Sequence, residues 1–302
     1  MSAFQRLYRP PFIGLFAFIA VLLANPVAHS ISILVKESLP HGYSGYVHIA
    51  IGLLGMIILI YGTRNDNEVR GTLTGFAAGL LIWLGWASYG FFYNQFDLGM
   101  SPVEIVEGQK RSAGLLYIQG STGICVAALL FFVLNKDTKC NAFRWLQRKL
   151  RLNLGKPSSG EGRNFCRITF LETLFVTWFC YSVSLFMGDG RFLGFHHPVT
   201  YALVAFFAVW SLYLMWRLAK FNRVMAGIRY AIPTKAIFWI PFGEFLPKYG
   251  FYQDVWIRPL EYSVEMWGVF LIFLGLIGVT AFLPQRKQSK PPRATPDSDI
   301  TQ

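Results

Sequence analysis

Charge is scarce in this chain. Only 15% of its 302 residues are Asp, Glu, Lys or Arg, against about 25% in ordinary soluble domains. Histidine is scarcer still, at five. The four cysteines form no CxxC pair, which excludes a zinc-finger or thioredoxin-like motif. Cys125 and Cys180 fall in apolar runs, while Cys140 and Cys166 lie in a basic stretch. No disulfide framework is expected from that placement. No P-loop, dinucleotide-binding glycine pattern or GxSxG elbow occurs. Phosphate-cradle and serine-nucleophile chemistry therefore have no positional support.

What the chain has is apolar length. Hydrophobic residues make up 54% and aromatics 17%, arranged in long runs separated by short polar turns. That pattern predicts an all-α integral membrane protein. The net charge of +12 would suit nucleic acid if it formed a patch. It lies instead in the loops between apolar spans, which is the membrane-topology pattern. The expected partner is a lipid bilayer, with no nucleic acid.

Eight spans are expected, at about 12–35, 43–61, 71–93, 112–134, 168–187, 199–218, 231–252 and 262–283. The first is too long for a signal-peptide core and reads as an uncleaved helix, kinked at Asn25-Pro26. The seventh carries Lys235, Glu244 and three prolines. The alternative is seven spans plus a re-entrant segment there. Eight spans put the basic tail (Arg286, Lys287, Lys290, Arg293) on the same side as the other basic loops, as the positive-inside tendency requires. Only Lys36, Lys110, Arg111, Arg191, Lys248 and Arg258 then face the other way. This predicts cytoplasmic termini in a bacterial inner membrane.

Between the fourth and fifth spans lies a basic linker, 135–167. Within 142–154, Phe143, Leu146, Leu150 and Leu154 share one helical face, flanked by Arg144, Arg148, Lys149 and Arg151. An amphipathic helix on anionic lipid is expected. The linker separates a first half, 1–134, from a second, 168–283. The polar tail, 284–302, has a disorder-prone composition.

The halves echo one another. His41 and Tyr46 are spaced like His196 and Tyr201. Tyr89-Gly90-Phe91 returns as Tyr249-Gly250-Phe251, and Pro102-Val103-Glu104 as Pro259-Leu260-Glu261. Order is kept. Four spans per half give both halves one orientation, hence a parallel repeat about an axis along the membrane normal.

Under this topology every histidine falls on or near the outer side, together with Glu104, Glu107, Glu261 and Glu265. His41, His196 and those four acids form a candidate transition-metal set for Fe, Cu, Zn or Mn. Surface solvation and helix-start roles for the same residues are the plain alternative. His29 and His48 lie within spans, where ionisable groups usually have a role. They are candidates for haem or metal ligation, or for a helix–helix hydrogen bond. Glu244 stands between Pro241 and Pro247, and an acid beside interrupted helix backbone suits a substrate or proton path.

Three functions compete on this reading. One is a metal-dependent membrane enzyme with an outer His/Glu site. Another is a transporter of a small solute or cation. The third is a non-catalytic subunit of a larger membrane complex. The symmetric metal site makes a definite forecast. A Glu104→Ala, Glu261→Ala double variant should insert normally but lose bound metal in elemental analysis. Stoichiometric metal retained by that variant would rule the symmetric site out.

Overall fold

The computed structural model describes residues 9–40, 43–90, 99–100, 103–105, 109–111, 113–136, 138, 141–154 and 164–282. The fold is a bundle of apolar helices. In chain order these are α1 (Phe12–Ser38), α2 (Tyr43–Thr63), α3 (Glu68–Ser88) and α4 (Gly114–Leu134). After a short α5 (Asn141–Lys149) come α6 (Phe165–Gly188), α7 (Pro198–Leu218), α8 (224–248) and α9 (Ser263–Phe282). Seven of them, all but α5 and α8, are long and apolar enough to cross a membrane. Their outward faces carry Leu53, Ile57, Val209, Leu212 and Leu271, all exposed. Lipid is the solvent that such surfaces require. The chain is an all-helical, multi-pass membrane protein with one small addition. Val103–Ile105 and Gln109–Arg111 pair as an antiparallel hairpin, within a stretch expected to be an irregular loop.

Two helix boundaries differ from expectation for local reasons. The break in α1 falls at Leu23, not at Pro26 itself. Pro26 has no N–H for the carbonyl four residues back, so the ladder fails just upstream of it. Helix α8 begins at Val224, seven residues ahead of the predicted span. Arg229 is therefore inside the helix rather than in a basic loop.

The packing follows a reciprocal plan. Helix α1 lies along α8, and α6 lies along α3. Each of α2 and α7 packs on the helix that follows it. Helix α4 rests on α6, and α9 rests on α1. The main apolar core joins α1, α3, α7 and α8 through Phe18, Val21, Phe76, Leu218, Met225 and Ile228. It fills the end of the bundle at which α1 begins, called the basic end below.

Glycine sets the closest approaches. A Cβ on Gly85 of α3 would lie 2.4 Å from the backbone nitrogen of Gly52 and 2.5 Å from the His48 carbonyl oxygen. Small residues at such crossings let helices pack in lipid without a hydrophobic drive. Caps finish the elements. Asn67 accepts hydrogen bonds from the Val69 and Arg70 amides, and Asn164 caps α6 while donating to the Thr63 carbonyl at 2.7 Å.

Helix α5 is shorter than the predicted 142–154. It docks by Phe143, which packs with Val133 and Ile168, and by Gln147, which donates to the Val133 carbonyl at 2.7 Å. Leu150, expected on that apolar face, follows the helix and is exposed.

The glycine crossing yields a paired test. Gly85→Ala should cost about 1–3 kcal/mol through overpacking, seen as a lower Tm of the detergent-purified protein. Gly268→Ala on α9, with nothing within 4 Å of the added carbon, should leave Tm unchanged.

Candidate functional site

A cavity of about 430 Å³ lies between α1, α3, α6 and α8, in the part of the bundle away from the basic end. Its size suits a small organic molecule. Helix α1 supplies Asn25, His29, Ser32 and Lys36 to its wall. Helix α8 supplies Lys235, Trp239 and Glu244. Trp83 and Ser88 of α3 and Tyr181 and Ser184 of α6 complete the polar and aromatic lining. Two stretches of the wall, Trp83–Ser88 and Ile240–Phe245, are π-helical. Such turns widen a helix, turn its side chains off the regular register, and recur at functional sites.

Lys235 is 3% exposed. Its Nζ donates to Asn25 Oδ1 at 2.5 Å. Among the described residues no carboxylate stands within ion-pair distance of it. Glu244 accepts a hydrogen bond from the Trp239 indole at 3.0 Å. At the mouth of α8, Lys248 lies 3.8 Å from Asp254. Burial raises the Asp254 carboxyl above its ordinary range, and the Lys248 charge pulls the other way.

At the basic end, charged side chains join α8 to α3. Arg229 of α8 donates to Glu68 Oε1 and to Thr72 Oγ1 of α3, each at 2.6 Å. Arg223 donates to the other oxygen of the same carboxylate. The Arg229 guanidinium also sits 4.7 Å from the centre of the Phe165 ring at the start of α6. The Glu68 and Arg229 side chains are only 16% and 11% exposed.

The sequence candidates separate into distinct settings. His29 and Glu244 share the cavity wall. His48 is fully buried behind that wall. Its Nδ1 contacts the Ser44 carbonyl at 2.7 Å and its Nε2 the cavity-lining Ser32 hydroxyl at 3.4 Å. Its ring stacks on Tyr89 at 4.4 Å. Both ring nitrogens have polar contacts. His196 contacts the Tyr201 hydroxyl at 2.9 Å and lies beside the Tyr249 ring. His197 caps α7, accepting from the Val199 amide. Glu261 pairs with Arg258 at 3.5 Å, and Glu265 stands in the first turn of α9. Glu104 belongs to the hairpin strand, with its backbone alone described, and His41 and Glu107 lie outside the described residues. Among the described residues no three His, Cys, Asp or Glu side chains form a metal-binding group.

Sequence reasoning underrated four polar residues. Asn25 reads as half of a kink, but it is the partner of Lys235. Arg229 and Glu68 read as loop charges; only their 161-residue separation in sequence hides the pair. Glu172 is buried within α6, 6% exposed. No protein-family profile matches the chain, and no curated protein or solved structure is detectably similar to it.

The His48 setting forecasts a stability effect. His48→Ala should lose about 2–4 kcal/mol by combining a cavity with orphaned polar groups, read as a fall in Tm. An unchanged optical spectrum would go with the hydrogen-bonding role, and loss of a Soret band with haem ligation.

Proposed function

We propose that this protein is a transporter of a small solute, with the cavity between α1, α3, α6 and α8 as its binding site. The observation that carries the reading is the pairing of a cavity that holds Lys235, His29 and Glu244 on its wall with a basic end where Glu68, Arg223 and Arg229 join α3 to α8. An alternating-access carrier needs a solute site near mid-membrane and a breakable seal on one side of it.

In this reading α8 is an eighth span. At 25 residues and 1.5 Å per residue it is about 37 Å long, enough for a hydrocarbon layer of about 30 Å. Residues 1–134 and 168–283 are then two parallel four-helix halves. The reciprocal packing of α1 on α8 and α6 on α3 supports this. So does the recurrence of a π-helical stretch in each third helix. In both halves the Tyr-Gly-Phe tyrosine also packs beside a histidine, Tyr89 on His48 and Tyr249 near His196. The basic end faces the cytoplasm of a bacterial cell by the positive-inside tendency. There Arg144, Arg148 and Lys149 of α5 are placed to meet anionic lipid, beside the half-exposed Trp145.

Labelling tests the proposal. In a cysteine-free background, Ser184→Cys should react with a membrane-impermeant thiol reagent from the outer face, and more slowly from the cytoplasmic face. Adding Glu68→Ala should raise the cytoplasmic rate by about tenfold or more. Breaking a part-buried ion pair costs well over the ~1.4 kcal/mol that a tenfold shift needs. Reaction from one face alone in both proteins would overturn transport.

A further inference from the structure

We infer that the solute is a small organic anion with an apolar body, its carboxylate or phosphate held by Lys235. The inference rests on the transporter reading for the site's purpose, but not for its chemistry. Lys235 is buried at membrane depth, faces the cavity, and has the neutral Asn25 side chain as its hydrogen-bond partner. A buried cation without a counter-ion is costly, and an anion entering the cavity relieves that cost. Glu244 does not supply the missing charge. It stands nine residues further along α8, roughly 13 Å by helical rise, and is engaged by Trp239. Asn25 accepts from Lys235 through Oδ1, which leaves its amide N–H groups to donate to the same anion. His29, one helical turn beyond Asn25, lies on the same wall. Trp83, Trp239, Ile33 and Leu80 also line the cavity, a surface for an aromatic or aliphatic body.

Phenylacetate is a suitable probe, with phenyl phosphate, phenylacetamide and phenethylamine as comparisons. Full-length protein in nanodiscs of zwitterionic lipid should bind radiolabelled phenylacetate saturably in equilibrium dialysis. Phenyl phosphate should displace it, and the neutral amide and the amine should not. Lys235→Met should weaken binding at least tenfold, while Lys235→Arg should stay within about threefold. Asn25→Asp places an internal counter-ion beside Lys235 and should abolish binding while keeping the protein folded, as its unchanged thermal transition would show. Three results would overturn the assignment: no saturable binding by the parent protein, equal binding by Lys235→Met or Asn25→Asp, or preference for the amine. Anion binding without two-sided access to Ser184→Cys would retain the site and remove transport. Two-sided access without anion binding would do the reverse.

Discussion

Helix α8 carries Arg229, Lys235 and Glu244 through the middle of an apolar bundle, and the arrangement of its neighbours answers that constraint. Arg229 meets Glu68 and Thr72 of α3. Lys235 meets Asn25 of α1. Glu244 meets the indole of Trp239 on its own helix. An ionised group with no such partner would cost several kcal/mol in this environment. The first two pairings therefore tie α8 to α3 and to α1, while the third stays within α8.

The charge cluster and the cavity lie along the same two helices, α3 and α8. At the basic end, Phe18, Phe76, Met225 and Ile228 interlock, and the Glu68 cluster covers them. Further along, α3 and α8 each pass into π-helical turns. The cavity lies beside these turns, and its wall holds Lys235, His29 and Glu244 among apolar residues such as Ile33, Leu80 and Leu84. If the basic end is the seal that transport needs, as proposed above, its charge pairs are breakable in a way that a wholly apolar core is not, because each lost pair can be replaced by water or solute.

Much of the fold was legible from hydropathy. Seven membrane-capable helices lie within a few residues of the expected spans. The kink in α1 was expected and falls three residues upstream of Pro26, for the reason that proline lacks a donor. Helix α8 was harder to read, since its charges lower its hydropathy and only their partners on distant helices make it buried. The site was half legible. Glu244 and His29 stood out as ionisable residues in apolar runs, and both line the cavity. Asn25 and Glu68 carry no such signal, because an amide at a kink and an acid at a helix start look ordinary until the opposing helix is known. His48 shows the converse. Its burial was foreseeable, but its role as a hydrogen-bonded, Tyr89-stacked core residue depends on Ser32 and Tyr89 arriving from two other helices.

The sequence by itself determined that the chain is a helical membrane protein, because the length and polarity of each run are local properties that lipid reads one segment at a time. It also determined which residues would be expensive to bury. The tertiary structure alone decided which of those expensive residues meet. Glu68 finds Arg229 across 161 residues and Lys235 finds Asn25 across 210. Contacts of that kind are set by how helices cross, and crossing geometry comes from small-residue packing summed over the whole bundle rather than from any one stretch of chain.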